Sequence, residues 1–242
     1  MHILHPSKEP IRSAYLSERL SAIADRVPKD CVVCDIGSDH GILPLYLLKT
    51  GHCRRAIVTD LNRLPLDRAK KSLEDEGVDH LADFYLTDGI EEVARLRPDA
   101  YVIAGMGGET IAGILSRGIS QLPVGSYFIL QPMSREVFLR KFLYENGFHI
   151  KEEVIVCENE KSFPVFCVLY DNLVRKKDEF VYKFGEFLPK DKSDDALFYW
   201  RLKLKKLRIK KAGKLAASMD VSDEEREEAY LLSLLEETNE NI

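Results

Sequence analysis

Residues 31–41 have the sequence Cys31-Val32-Val33-Cys34-Asp35-Ile36-Gly37-Ser38-Asp39-His40-Gly41. The apolar run predicts a short buried β-strand, and Gly37 opens a tight turn before a helical pattern. Asp35 lies near the carboxyl end of this strand, just before the turn. Such a turn lets the backbone approach a ligand and directs the free N–H groups of the next helix toward it. Since short motifs also match by chance, an ordinary strand-to-helix turn is the alternative.

The glycine pattern of this turn separates two classes of nucleotide cofactor. A dinucleotide fingerprint has the pattern Gly-x-Gly-x-x-Gly, but Asp39 and Ile42 occupy its second and third glycine positions here. An acid before a loosened glycine loop suits a cationic α-amino group better than a pyrophosphate. The sequence therefore favours S-adenosylmethionine over NAD.

Further apolar runs predict the rest of a sheet. The predicted strands end near Asp60, Asp88, Gly105 and Pro132, and amphipathic segments at 41–50, 64–76, 109–117 and 135–146 separate them. Alternating strands and helices predict an α/β fold with a mostly parallel sheet that is covered on both faces. Two later runs, 154–157 and 164–170, are joined by a link too short for a crossover helix. They therefore predict an antiparallel hairpin, which is typical of class I methyltransferases with a Rossmann-like sheet.

Acids at the ends of these strands are candidate cofactor ligands, because ligands of such sheets bind beyond the carboxyl ends of the strands. Asp60 lies about 20 residues beyond the glycine loop, the spacing at which a carboxylate meets ribose hydroxyls. Asp88 precedes Gly89 and is placed to meet the adenine amine, although an Asp-Gly pair is also common in turns. His40 is equally consistent with capping or packing.

The chain resembles the bacterial tRNA (adenine-22-N1)-methyltransferases, the TrmK family. The matching blocks run in the family's order along nearly the whole chain: Leu16-Ser17-Glu18-Arg19-Leu20, Asp35-Ile36-Gly37-Ser38-Asp39-His40, Leu43-Pro44, Ala104-Gly105-Met106-Gly107-Gly108, Ile129-Leu130-Gln131-Pro132, Leu139-Arg140 and Phe184-Gly185. Three positions in two motifs depart from the family pattern. Gly41 and Ile42 replace an Ala-Tyr pair, and Met133 replaces an asparagine.

The resemblance implies an S-adenosylmethionine-dependent enzyme that methylates N1 of adenine 22 in tRNA. Together with the strand-end pattern, it gives the predicted cofactor contacts Asp35, Gly37, Ser38, His40, Gly41, Asp60, Leu61, Asp88, Gly89, Gly105 and Met106. The predicted catalytic mouth consists of Gly107, Gly108, Gln131 and Pro132. Its glycines let the backbone pass close to a substrate, and the Gln131 amide is a candidate partner for a flipped base.

Composition and charge restrict the function further. The 242 residues can bury a large core, and no apolar run approaches the roughly 18 residues of a membrane span. Five cysteines at unrelated spacings indicate a reducing compartment, and no ligand cluster predicts a metal. The net charge of −5 excludes a basic field over the whole protein. We therefore expect a cytoplasmic monomer that needs no metal or membrane.

The C-terminal part predicts a local site for nucleic acid. Interrupted apolar patterning near 172–192 divides the chain into a methyltransferase domain, 1–172, and a helical hairpin domain, 173–242. Helical stripes predict helices over 193–217 and 222–238 that pair in antiparallel orientation. Eight basic residues and no acid lie between Arg201 and Lys214. This run predicts a helix that grips tRNA phosphates; the alternative is that acids between Asp223 and Glu228 neutralise it.

Two other functions remain compatible with the residues. One is a class I methyltransferase that acts on another RNA site or a small molecule, which Ile42 and Met133 favour. The other is a protein that binds S-adenosylmethionine or RNA without catalysis, because a fold does not guarantee activity.

Overall fold

A computed structural model describes residues 16–236 and contains one seven-stranded sheet with the order β3-β2-β1-β4-β5-β7-β6. The strands are β1 (Cys31–Ile36), β2 (Cys53–Asp60), β3 (Ala82–Leu86), β4 (Ala100–Gly107), β5 (Tyr127–Ser134), β6 (Phe148–Glu158) and β7 (Lys161–Tyr170). Strands β1 to β5 are parallel, and β7 pairs antiparallel with both β5 and β6. The predicted α/β methyltransferase fold with its antiparallel hairpin is confirmed.

Helices cover both faces of the sheet, and the alternation of side chains along the strands decides which face each residue meets. The helices are α1 (Glu18–Ala24), α2 (Ile42–Lys49), α3 (Arg63–Asp75), α4 (Gly108–Gly118), α5 (Glu136–Glu145), α6 (Glu179–Phe184), α7 (Asp194–Ala216) and α8 (Ser222–Glu236). Val33 and Val102 pack with α1, α2 and α3, whereas Tyr101 and Ile103 pack with α4 and α5.

The antiparallel hairpin is tighter than its sequence pattern indicates. Strands β6 and β7 extend to Glu158 and Lys161, so only Asn159 and Glu160 remain between them. Both residues have positive φ, 49° and 59°, as in the two-residue turns whose twist suits a hairpin. The predicted link, 158–163, is thereby shortened to these two residues.

The C-terminal helices α6, α7 and α8 form a unit that we call the C-terminal arm. Leu204 and Leu207 of α7 pack against Leu231 and Leu234 of α8, as the apolar stripes predict. Ion pairs join Arg208 to Glu228 and Lys214 to Glu224, so the two helices are antiparallel. Helix α6 lies where the sequence predicts only an interruption. The predicted ends beyond residue 236, and residues 1–15 of the predicted first domain, lie outside the described residues.

Candidate functional site

A cleft of about 410 Å³ opens at the carboxyl ends of β1 to β4. Its walls come from the ends of these strands and from one side of α4: Ile36, Gly37, Asp60, Leu61, Asn62, Thr87, Asp88, Gly89, Met106, Glu109, Thr110, Gly113, Ile114 and Arg117. Six of the predicted cofactor residues line it, namely Gly37, Asp60, Leu61, Asp88, Gly89 and Met106. The parallel strands bring them together because their carboxyl ends meet at one edge of the sheet.

Asp35 lies beneath the glycine loop at this edge. The residue is only 6% exposed, and the hydroxyl of Ser38 donates a hydrogen bond of 2.5 Å to Oδ2. Burial raises the pKa of Asp35 from 3.8 to about 6, the Ser38 bond lowers it in part, and the nearby Asp60 raises it. Because no basic side chain within residues 16–236 pairs with this buried acid, a ligand with a positive charge would relieve an unfavourable arrangement.

Asp60 and the loop after it form the next wall of the cleft. Asp60 is 9% exposed at the end of β2, and its Oδ1 accepts a hydrogen bond of 2.8 Å from the backbone N–H of Asn62. This bond holds the carboxylate at the edge of the cleft, with Leu61 exposed beside it. The geometry is suitable for accepting hydrogen bonds from vicinal hydroxyls.

Asp88 is engaged by a basic residue that sequence reasoning missed. Nη2 of Arg117, in the last turn of α4, lies 2.8 Å from Oδ1 of Asp88, and both side chains are exposed. A Cβ at Gly89 would lie 3.8 Å from this nitrogen, and a Cβ at Gly113 would lie 3.5 Å from Nη1 of Arg117. The guanidinium therefore lies at ordinary contact distance from both glycines along the cleft wall.

The glycine loop and β4 approach each other closely. A Cβ at Gly37 would overlap the terminal methyl group of Met106, and Gly37 also has a φ of 76°. Gly105 has a φ of 77°, and the guanidinium of Arg19 passes above it. A side chain at either glycine would thus be strained by its backbone conformation, and at Gly37 it would also displace the end of the Met106 side chain.

Gln131 is completely buried at the end of β5, and its amide is engaged within the protein. Its Oε1 accepts hydrogen bonds from Nη1 of Arg19, at 2.9 Å, and from the N–H of Gly105, at 3.1 Å. Its Nε2 donates to the carbonyl of Pro132 at 2.8 Å and lies 3.6 Å from Sδ of Met133. Gln131 therefore braces β4 against β5. No sequence pattern could have revealed that Arg19 is the partner of Gln131.

The remaining mouth residues meet through strand pairing. Gly107 pairs with Ser134, and a Cβ at Gly108 would lie 2.5 Å from the carbonyl oxygen of Arg135. Gly108 thus permits α4 to begin directly against the β5–α5 connection. Met133 is 46% exposed and follows Pro132 on the open side of this connection.

Five predicted cofactor residues lie outside the lining of the cleft: Asp35, Ser38 and Gly105, described above, together with His40 and Gly41. His40 is exposed, and its Nε2 lies 3.6 Å from Asp39. Gly41 is buried, and a Cβ there would lie 2.9 Å from that of Ala69 on α3. The structure gives Gly41 a packing role, since only glycine lets the chain pass this close to α3.

A second groove, of about 580 Å³, lies between the C-terminal arm and the end of β5, where Pro132 of the predicted catalytic mouth lines it. Met133, Arg135 and Glu136 line one side, and Lys203 and Lys206 line the other. The groove continues the open side of the mouth toward the basic helix α7.

Ion pairs neutralise much of the basic run on α7. Five of its eight cations pair with acids: Lys203 with Glu136, Arg208 with Glu228, Lys210 with Glu224, Lys211 with Glu228 and Lys214 with Glu224. Hydrogen bonds from Lys210 and Lys214 lower the pKa of Glu224 to about 2. The neutralisation alternative therefore holds for four of them, whereas Lys203 is paired by Glu136 of α5, outside the acids between Asp223 and Glu228. Arg201, Lys205 and Lys206 are exposed and form no ion pair within 16–236.

The described residues contain neither a membrane-spanning helix nor a cluster of metal ligands. Within 16–236, no helix is long and apolar enough to span a membrane. In the same part of the chain, no group of three or more His, Cys, Asp or Glu side chains is arranged to hold a metal ion.

Comparison with known proteins points to one family. Residues 16–166 match a family model described as a methyltransferase domain. The chain is 33% identical over 196 residues to the tRNA (adenine(22)-N(1))-methyltransferase of Bacillus subtilis strain 168, covering 78% of this chain and 81% of the relative.

Solved structures extend the similarity across both parts of the chain. The Streptococcus pneumoniae protein Sp1610 in complex with S-adenosyl-L-methionine superimposes with a TM-score of 0.79 at 29% identity, covering 91% of this chain and 99% of that one. The Bacillus subtilis M1A22 tRNA methyltransferase TrmK has a TM-score of 0.73 at 29% identity, over 93% and 97% of the two chains.

Proposed function

Because the chain belongs to the family of tRNA (adenine(22)-N(1))-methyltransferases, we propose that it transfers the methyl group of S-adenosylmethionine to N1 of adenine 22 in tRNA. The observation that carries the proposal is the cleft at the ends of four parallel strands. Its wall carries the carboxylate of Asp60, and beneath the adjoining glycine loop lies the buried carboxylate of Asp35, which pairs with no cationic side chain within residues 16–236. This pair suits a ligand with an ammonium group at one end and ribose hydroxyls at the other.

The cleft residues fit S-adenosylmethionine by their chemistry. We assign Asp35, with the turn from Gly37 to Ser38, to the methionine end, Asp60 to the ribose and Asp88 to the adenine amine. When bound, the cofactor supplies a methyl group on a positively charged sulfur, which the N1 lone pair of neutral adenine can take. Arg117 holds Oδ1 of Asp88 and leaves Oδ2 as the acceptor.

Residues of the catalytic mouth contribute position and not proton transfer. Neutral adenine needs no base at N1, so a pocket that aligns the two reacting atoms and excludes water can supply most of the acceleration. We propose that Gly107 and Pro132 border the base, while buried Gln131 fixes the spacing of β4 and β5. The methylated base becomes cationic, so backbone carbonyls turned toward it would stabilise the transition state.

The tRNA is proposed to lie along the groove between the mouth and the arm. N1 belongs to the Watson–Crick edge, so a paired or stacked adenine must first be extruded. Arg201, Lys205 and Lys206 are the cations of α7 left for phosphates, and Lys206 lines the groove itself. We propose that the methyltransferase domain (1–172) binds the cofactor, the hairpin domain (173–242) binds RNA, and the protein acts as a cytoplasmic monomer.

The decisive experiment is a nucleoside map of tRNA treated with the purified protein. Mass spectrometry should find 1-methyladenosine in a transcript with adenine 22 and none in the matched transcript with guanine there. Asp60→Ala serves as the control enzyme. Methylation at another position, or cofactor binding without any transfer, would overturn the proposed function.

A further inference from the structure

Four charged side chains are concentrated where the C-terminal arm meets the methyltransferase domain. Glu136 and Arg140 lie on α5, Glu153 lies on β6, and Lys203 lies on α7. The two cations, Arg140 and Lys203, donate to the backbone carbonyl of Lys183 in the last turn of α6, and each of them pairs with one of the two acids. We call these four side chains and this carbonyl the docking node. The catalytic proposal assigns no role to any of them.

One half of the node is an ion pair without solvent exposure. Nε of Arg140 lies 2.6 Å from Oε1 of Glu153, and both side chains are 0% exposed. Nη1 of Arg140 donates to the carbonyls of Tyr182, at 3.2 Å, and Lys183, at 3.4 Å. These carbonyls end α6 and lack partners within the helix, so a cation is suited to them. The pair therefore holds α6 against α5 and β6.

Gly185 explains how the buried carboxylate fits beside α6. Its φ is 85°, and a Cβ there would overlap Oε2 of Glu153. The chain therefore leaves α6 in a conformation that favours glycine, and the missing side chain leaves room for the acid. Two short sequence blocks, Leu139-Arg140 and Phe184-Gly185, thus meet at one place.

The other half of the node reaches the long helix of the arm. Nζ of Lys203 lies 3.0 Å from Oε1 of Glu136 and 3.4 Å from the carbonyl of Lys183. The hydroxyl of Tyr199 lies 3.5 Å from the same carboxylate oxygen. Glu136 is the first residue of α5, and only Arg135 separates it from the end of β5. The arm is thus joined to the chain segment that carries the catalytic mouth.

The chemistry of the docking node indicates that its main effect is to fix the positions of helices and not to add stability. A buried ion pair adds little net stability over apolar residues of the same volume, because desolvation offsets the attraction between its charges. Its hydrogen bonds, however, require narrow ranges of distance and angle. Apolar residues would bury the same surface but would let α6 and α7 shift along it.

We propose that the docking node is a positioning device for methyl transfer, in which Glu136 and Arg140 set the orientation of the arm relative to the catalytic mouth. This inference rests on the proposed function, since tRNA must contact the arm and the mouth together. A rigid junction determines whether a nucleotide held by the arm places its base at the mouth. An error of about 1 Å in such an alignment can reduce a rate by about 100-fold.

The first test removes the Arg140–Glu153 charges together. The variant Arg140→Met/Glu153→Leu preserves apolar volume, so a thermal melt should show a folded protein. We expect kcat with tRNA to fall by about 10- to 100-fold, while the dissociation constants for tRNA and S-adenosylmethionine stay unchanged. The control is Lys49→Gln/Glu76→Gln, which removes a partly exposed ion pair between the end of α2 and the residue that follows α3. A folded double variant with wild-type kcat would show that the node only stabilises the fold.

A second variant covers the case in which the double variant does not fold. Glu136→Gln removes an acid from a groove that is proposed to hold RNA, so electrostatics alone predict stronger tRNA binding and an undiminished rate. The positioning role predicts a lower kcat despite that gain. Glu225→Gln, an exposed arm residue 3.5 Å from Lys211, is the matched control. Unchanged or higher kcat for Glu136→Gln would overturn the inference.

A distance measurement separates this inference from the proposed function. Spin labels at the exposed positions Lys71 and Arg226 report the position of α8 relative to α3. The wild type should give one narrow distance distribution, and Arg140→Met/Glu153→Leu should broaden it. If wild-type protein fails to methylate tRNA, the proposed function fails, while this comparison still decides whether the node fixes the arm. Distance distributions of equal width in the two proteins would refute the positioning role of the docking node.

Discussion

Acidification should weaken the binding of S-adenosylmethionine because of one buried carboxylate. Burial raises the pKa of Asp35 from 3.8 to about 6 in the protein without ligand. If Asp35 holds the cationic amino group, binding requires its charged form, so protonation competes with the cofactor. Affinity should then fall about tenfold for each pH unit below about 6 and be constant above about 7.

The same carboxylate should lower the stability of the ligand-free protein near neutral pH. A folded-state pKa above the unfolded one means that the native state favours the neutral acid. The stability associated with this preference is complete below pH 3.8 and is lost as the pH rises through about 6. The rise in the pKa of Asp35 on folding corresponds to roughly 3 kcal/mol of stability, at 1.36 kcal/mol per pKa unit. Asp35→Asn should therefore raise the free energy of unfolding at neutral pH, by up to this amount, while it weakens cofactor binding.

Calorimetry can test both consequences on one pair of proteins. Titrations at about pH 5.5 in two buffers with different ionisation enthalpies should detect a proton released from Asp35 when the cofactor binds. The Asp35→Asn protein should show weak binding with little pH dependence and no such proton release. Wild-type affinity that stays constant between about pH 7.5 and about pH 5 would refute the assignment of Asp35 to the amino group.

Three further changes test other parts of the site. Asp60→Ala should weaken S-adenosylmethionine binding by about 1–3 kcal/mol, measured by calorimetry on a folded variant, through lost charge-assisted hydrogen bonds; unchanged affinity would exclude a ribose contact. Replacing Arg201, Lys205 and Lys206 by Gln should flatten the slope of log tRNA affinity against log salt by about 2–3 units, with cofactor affinity intact; an unchanged slope would exclude the three cations. Met133→Asn should raise the methylation rate on a tRNA transcript if this exposed side chain meets the base, and an equal or lower rate would exclude that contact.

Much of the sheet could be predicted because its residues obey simple periodicities. Val33 and Cys34 face opposite sides of β1 and enter different core clusters, as the period of a strand requires. The short link before Pro164 was sufficient to predict an antiparallel hairpin, since chain length excludes a crossover. Helix α6 was not predicted, because its six residues are too few for a helical period to be distinguished from a linker.

The chemistry of individual side chains was less predictable than their positions. The carboxyl ends of the strands correctly indicated that Asp60 and Asp88 share a cleft, because topology alone brings those ends together. Sequence could not indicate that the Gln131 amide is already bonded to Arg19, 112 residues away. Similarly, Gly41 follows the loop pattern of a cofactor contact, yet its freedom is used to admit α3. Both outcomes depend on neighbours that come from distant segments.

The charges of the arm are the clearest example of a property that the sequence alone could not predict. The register of two helices decides how much of the basic run remains available to RNA. A run without acids indicates a basic surface only if no other element supplies the acids. Here α8 returns antiparallel along α7, so Glu224 and Glu228 meet cations 10 to 20 residues earlier in the chain. A cation paired with a carboxylate attracts phosphate weakly, since the pair's field decays over a short distance. We therefore propose that the arm attracts tRNA mainly through Arg201, Lys205 and Lys206, and that geometry, more than overall charge, brings the target base to the mouth.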